Sequence, residues 1–234
     1  MCCCYGEGIG MTEAIVAMIP MMLAAALVPA PIILVLMLLR GSGGLAAGAA
    51  FVAGVTVVRL VQGALFGFIF EEAMAGRSAS GPGPIAATLL VVVGILLWIT
   101  AVKTLRKEED PDAPPSKWSA MLRTASPALA FGMGLALQSL AAKQWVFTLG
   151  ALGILSEAAL TESEFIIAYL VFVLAAEALL LLPVLAMLVA RDAAAPVLES
   201  IGAWMERNNR AIKIAVSVIF GTYFLWKGLS ALVG

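Results

Sequence analysis

Six long runs of apolar side chains dominate the chain, at about 12–39, 45–70, 84–102, 126–155, 165–190 and 211–233. Apolar positions within each run are continuous rather than alternating, which predicts helices and not barrel strands. Each run is close to or above the roughly 20 residues needed to cross about 30 Å of hydrocarbon. The first is too long for a secretory h-region and no small-residue cleavage site follows it, so it reads as a retained span. The longest polar stretch, KTLRKEEDPDAPPSK from Lys103 to Lys117, mixes charge with Pro111, Pro114 and Pro115 and reads as an extended, solvated linker. It separates an N-terminal unit, 1–102, from a C-terminal unit, 119–234, with residues 103–118 between them. Each unit holds three runs. Three is odd, so the second unit must cross in the opposite sense, the arrangement of an inverted repeat whose substrate site lies near the midplane between the halves. The expected fold is an all-α membrane protein with six transmembrane helices in two inverted three-helix repeats. Residues 191–210, RDAAAPVLESIGAWMERNNR, are too polar to cross. They predict an amphipathic surface helix near 194–207, with Val197, Leu198, Ile201 and Trp204 facing lipid.

Composition agrees with the pattern. Of 234 residues 62% are hydrophobic and 12% charged, too little polar surface to cover a soluble domain of this size. The net charge is −1, which gives no footprint for nucleic acid, and the lack of histidine excludes a His metal site or a His general base. No cofactor or metal is expected. Basic residues fix the orientation. Arg40 follows the first run, Lys103, Arg106, Lys107, Lys117 and Arg123 the third, and Arg191, Arg207, Arg210 and Lys213 the fifth. The other side has only Arg77 and Lys227, with Glu7, Glu13, Glu71, Glu72, Glu157, Glu162 and Glu164. Both termini are therefore expected on the outer side of the inner (plasma) membrane.

Three ionisable side chains stand inside the runs: Arg59, Lys143 and Glu177. A lone charge at the bilayer centre costs at least about 2.5–3.5 kcal/mol, so each needs a partner, a watery path or a substrate. Arg59 and Glu177 lie near the centres of the second and fifth runs, counterpart positions in a three-plus-three repeat. Their opposite signs make them expected partners, which leaves Lys143 as a surplus positive charge suited to an anionic headgroup, a carboxylate or proton exchange. The alternatives are a purely structural ion pair and a Lys143 that snorkels to an interface. The first run carries Pro20 and then Val28-Pro29-Ala30-Pro31, which should break or sharply kink the helix. The fourth run has a polar patch at comparable depth, Gln138-Ser139 and Lys143-Gln144. Pro29, Pro31, Arg59, Gln62, Gln138, Ser139, Lys143 and Glu177 are the candidate substrate contacts. Glu177 is also the candidate for proton coupling. The spacings Gly44-x-x-x-Gly48 and Gly63-x-x-x-Gly67 allow close helix contact, within one subunit or in a homodimer.

The cysteines are consecutive, Cys2, Cys3 and Cys4, on the expected outer face. Adjacent cysteines rarely bridge each other without strain. They are the only candidates for a thiol or electron-transfer role, and Met11 offers an alternative start that would make them a dispensable extension.

ALVPAPIILVLMLLRGSGGLAAGAAFVAG across the first two runs, LLWITAVKTLRKEEDPDAPPSKW after the third and MERNNRAIKIAVSVIFGTYFLWKGLSAL at the end resemble the lysine-exporter superfamily, and within it the GAP family of glycolipid-addressing proteins. The resemblance covers nearly the whole chain and implies six helices in two inverted halves, with transport or delivery of glycolipids towards the cell surface. Family members usually carry Asn-Pro-Lys in the fourth span. Here Ala141-Ala142-Lys143 keeps the lysine without the helix-breaking pair, so the sequence leaves a break there open. The superfamily also holds thiol–disulfide electron carriers, but these keep their cysteines inside the helices. The leading expectation is thus a transporter of a lipid-linked or amphiphilic, anionic substrate and not an enzyme. No Walker-type glycine loop is present, so energy would come from an ion gradient or a partner. The alternatives are an oxidoreductase using Cys2–Cys4 and a scaffold for an envelope-lipid synthase or exporter.

Overall fold

The computed structural model describes residues 10–74, 84–106, 121–122, 124–158 and 160–233. Among them are eight helices and no strand: α1 (Met11–Ala26), α2 (Pro29–Arg40), α3 (Gly44–Met74), α4 (Pro84–Arg106), α5 (Pro127–Leu140), α6 (Ala142–Glu157), α7 (Glu162–Val189) and α8 (Arg191–Val233). Local signals set several ends. Ser126 caps α5, its hydroxyl accepting from the Leu129 amide, with Pro127 at the first helical position. Thr161 and Glu164 cap α7 reciprocally: the Thr161 hydroxyl accepts from the Glu164 amide, and the Glu164 carboxylate accepts from the Thr161 amide at 2.9 Å. The α2–α3 turn closes on Gly44, whose φ of +49° belongs to the left-handed region that favours glycine.

Two of the six apolar runs are each split in two. Leu27 and Val28 interrupt the first, and α1 and α2 meet at a bend of 56°. Pro29 and Pro31 have no amide hydrogen to continue the α1 ladder, so the break falls where VPAP requires it. Pro20 lies inside α1, which runs on through it. The fourth run breaks at Ala141 (φ −80°, ψ 88°) without any proline. Residues 194–207 are helical as expected but do not form a separate surface helix. They continue into the last apolar run as α8, 43 residues long and so about 65 Å at 1.5 Å per residue. The first half of α8 is held by burial on one side: Met205 is buried, and Gly202 lies against the Arg40 guanidinium and Leu36. Val197, Ile201 and Trp204 stay exposed, whereas Leu198 packs with the core around α2.

Four helices are long and apolar enough to cross a membrane, or five spans if the bent α1–α2 pair counts as one, by length and composition of the described residues. This is a multi-pass membrane protein. Glycine seams set its closest contacts. A Cβ on Gly54 or Gly134 would collide with backbone of the facing helix, so α3 and α5 touch main chain to main chain. A Cβ on Gly94 would lie 2.8 Å from the Leu225 amide and one on Gly228 2.9 Å from the Ala87 carbonyl, which joins α4 to α8 in the same way. Gly48 and Gly63 instead receive the Leu39 and Tyr169 side chains of this same chain.

Two apolar cores result. One gathers Met18, Phe147, Leu152, Phe172 and Phe224 from α1, α6, α7 and α8. The other gathers Val35, Leu38, Phe51, Val55 and Leu180 from α2, α3 and α7. Along α7 the first core ends at Ala176 and the second begins at Leu180. Glu177 stands between them.

Candidate functional site

Glu177 and Arg59 form an ion pair in that gap, with Nε 3.1 Å from Oε1 and side chains only 2% and 1% exposed. Each lies fifteen residues past the first residue of its helix, Glu162 for α7 and Gly44 for α3. The expected partnership is therefore real. The pair is not fully satisfied, however, because Nε and Oε1 are close but not aligned as a hydrogen bond.

The rest of the guanidinium reaches α6. Nη2 donates to the Gln144 side-chain oxygen at 2.9 Å, and Nη1 makes a long contact of 3.5 Å to the Thr148 hydroxyl. The Phe172 ring lies 5.8 Å from the guanidinium carbon, a cation–π distance. Thr56, on the Arg59 face of α3 one turn earlier, donates to Glu177 Oε2 at 2.6 Å. Tyr169 donates from its hydroxyl to the Arg59 carbonyl at 2.6 Å, its ring seated on Gly63. Arg59 thus ties α3, α6 and α7 together at one point.

Gln62, one turn beyond Arg59 on α3, is 2% exposed, and neither its oxygen nor its nitrogen has a partner. The Gln138 amide nitrogen, near the end of α5, is also buried without an acceptor. A buried polar group left unpaired costs about 1–3 kcal/mol, so such groups are expected where water or a ligand completes them. Both flank the helix break. There the Ser139 carbonyl accepts from the Trp145 indole at 2.7 Å, while the Ser139 side chain points to the surface and stays outside the cluster. Trp145 also meets Phe66 edge to face at 5.7 Å, which closes the cluster on its α3 side.

The two interrupted runs restart without caps. Neither Val28 before α2 nor Ala141 before α6 offers a side-chain oxygen to the first-turn amides, in contrast to Ser126 and Thr161 at the starts of α5 and α7. Uncapped helix starts carry partial positive charge and free amide donors, although Pro29 and Pro31 leave α2 with fewer such donors than α6. Pro29 and Pro31 are buried at the first of these starts, and no hydrogen bond or ion pair joins them to Arg59 among the described contacts. Lys143 stands in the first turn of α6, and its side chain lies outside what the structure describes.

A family model described as Sap, sulfolipid-1-addressing protein, matches residues 18–230. The chain belongs to this family. No curated protein and no solved structure matches it. The family's span takes in both helix breaks and the whole Arg59–Glu177 cluster, and it leaves out Cys2, Cys3 and Cys4. Those cysteines lie outside the described residues as well, so the thiol reading gains no structural footing. Sequence reasoning had named Arg59, Gln62, Gln138 and Glu177 but missed Thr56, Thr148 and Tyr169. Spacing could have found two of these: Thr56 precedes Arg59 by three residues and Tyr169 precedes Glu177 by eight, so each shares a helix face with a buried charge.

Proposed function

We propose that this member of the sulfolipid-addressing family is a six-span carrier built from two inverted repeats. It moves an anionic, lipid-linked or amphiphilic molecule across the inner membrane or towards its outer face. In this reading α1 with α2, and α5 with α6, are the two broken spans. Exchanging the halves maps α1 and α2 onto α5 and α6, α3 onto α7, and α4 onto α8. Several helix contacts then map onto others: α3 on α5 onto α7 on α1, α4 on α6 onto α8 on α2, and α2 on α3 onto α6 on α7. The matched depths of Arg59 and Glu177 support the same symmetry.

One observation carries the substrate class. The only described arginine buried in the bundle keeps an incompletely bonded guanidinium beside a Gln62 that has no partner at all. An anionic headgroup supplies the acceptors both lack. Two uncapped half-helix starts suit an anion too, a recurrent arrangement in transporters. The family is named for a sulfolipid, which is an anionic lipid. Lys143 belongs to the first turn of α6, next to Gln144, and is a further candidate for contact with the anion. Glu177 couples the movement to protons. The basic residues in the links support an orientation with both termini outside. An envelope-lipid synthase or exporter as partner, and a homodimer, fit this reading without any contact that requires them.

Proteoliposomes with a fluorescent sulfated glycolipid test it, with leaflet exchange read by dithionite quenching. Wild-type protein should move the lipid, and Arg59→Gln at least about tenfold more slowly, the factor that about 1.4 kcal/mol of lost anion binding produces. Equal rates would remove Arg59 from the substrate path. Mass spectrometry of lipids that co-purify with the protein identifies the cargo directly.

A further inference from the structure

The Glu177 carboxyl is held by two groups of different kinds. Oε1 faces the Arg59 Nε at 3.1 Å and Oε2 faces the Thr56 hydroxyl at 2.6 Å. The same hydroxyl lies 2.9 Å from the Val52 carbonyl. A threonine hydroxyl has one proton and two acceptor lone pairs, so it can donate to Glu177 or to Val52 but not fully to both. When it donates to Glu177, the carboxyl is an anion and pairs with Arg59. When it donates to Val52, the short contact to Oε2 is a hydrogen bond only if Glu177 carries the proton and donates to Thr56. Glu177 Oε2 and the Thr56 hydroxyl keep a hydrogen bond in both arrangements. A buried carboxylate that pairs with arginine alone has no second arrangement, and loss of the arginine strands it.

We propose that Thr56 makes Glu177 an exchangeable counter-ion: an anionic substrate group takes the Arg59 guanidinium, and Glu177 yields it by accepting one proton. The exchange rests on reading Arg59 as the charge partner of the substrate. The step balances. A proton drawn from bulk solvent, reaching the site as hydronium with the entering substrate, binds Glu177 Oε2, Thr56 turns its own proton from Oε2 to the Val52 carbonyl, and the incoming anion replaces the lost negative charge beside Arg59. Arg59 has one compensating negative charge before and after the exchange, which avoids the cost of an uncompensated ion. Release of the anion runs the same steps backwards and returns the proton. Among the described side chains, the ionisable groups acting on Glu177 are Arg59 from α3 and Tyr169 from its own helix, and α1, α2, α6 and α8 contribute none.

Infrared difference spectroscopy of the full-length protein in phosphatidylcholine nanodiscs tests the exchange. Near neutral pH the wild type should lack a protonated-carboxyl band from Glu177. Arg59→Gln should show one, removed by adding Glu177→Gln, shifted by adding Thr56→Val and restored to its place by Thr56→Ser instead. A second measurement uses native Arg59. Adding a sulfated galactosylceramide to weakly buffered nanodiscs should draw one proton per lipid bound by the wild type and none by Glu177→Gln, which should still bind the lipid. Absence of the band in folded Arg59→Gln, or proton uptake that survives Glu177→Gln, overturns the exchange while leaving lipid binding at Arg59 intact. Failure of the wild type to bind the lipid overturns the substrate reading itself, and the exchange falls with it.

Discussion

Removing Arg59 and Glu177 singly and together measures how far the pair holds the bundle closed. At 3.1 Å and an effective dielectric near 20, Coulomb attraction is about 5 kcal/mol, most of it offset by the desolvation of both ions. Breaking a buried pair by deleting one partner typically costs about 3–5 kcal/mol, whereas replacing both with apolar residues is often close to neutral. Arg59→Leu and Glu177→Leu should each fall in that range. The double variant should lie within about 2 kcal/mol of wild type, its remaining cost being the Gln144 oxygen left without a donor. The two single losses should also differ. An abandoned carboxyl can take up a proton and bond to Thr56, while an abandoned guanidinium cannot lose one, so Glu177→Leu should be the costlier. Reversible denaturation in mixed micelles, followed by tryptophan fluorescence, gives all four corners of the cycle. Hydrogen bonds between membrane helices average about 0.6 kcal/mol, so a coupling above about 2 kcal/mol marks a true ion pair. Additive losses, or a coupling below about 1 kcal/mol, would refute the pairing as the element that joins α3 to α7.

Other predictions follow from single contacts. Gln62→Leu removes a buried amide that has no partner, so it should stabilise the resting protein by about 1–3 kcal/mol in the same denaturation assay while weakening binding of an anionic glycolipid; a loss of stability would show that Gln62 is bonded at rest. Gly134→Ala puts a methyl against the α3 main chain and should cost about 1–3 kcal/mol, whereas Gly132→Ala, with nothing within 4 Å, should be neutral or slightly stabilising. Equal effects at the two glycines would refute the α3–α5 seam. Trp145→Phe deletes the 2.7 Å bond to the Ser139 carbonyl and should raise hydrogen exchange around Ala141 with little change elsewhere, as read by mass spectrometry.

What the sequence made legible was whatever local chemistry decides. Continuous apolar runs gave helices, VPAP gave a bend, and opposite charges at matched depths in two runs gave a pair. The break at Ala141 was not legible, because Ala-Ala-Lys is a good helix-forming tripeptide and carries no proline. Trp145 on the Ser139 carbonyl and Gln144 on Arg59 hold that break instead, the first across the break itself and the second through the way α3 meets α6. The continuity of α8 escaped for a related reason. RDAAAPVLESIGAWMERNNR looks like a surface helix by polarity, yet the Arg40 guanidinium donates to the Leu198 and Glu199 carbonyls and anchors it against α2. Periodicity reports which face is apolar, not where a helix stops.

That difference in cause gives the two breaks different roles. The bend between α1 and α2 is written into the backbone by Pro29 and Pro31, whose missing amide hydrogens no change of side-chain partner can restore. The break at Ala141 is held by side chains, and one of them, Gln144, bonds to the guanidinium that pairs with Glu177. Whatever takes Arg59 away from Glu177 therefore also acts on the start of α6. A change in the bonding of a single arginine is felt at a half-helix whose alternative is a continuous helix, stable by its own composition. The break in the fourth run rests on side chains that can change partners, and the bend in the first rests on prolines that cannot. An anion arriving at Arg59 has a route to the geometry of α6 that needs no intermediary beyond Gln144.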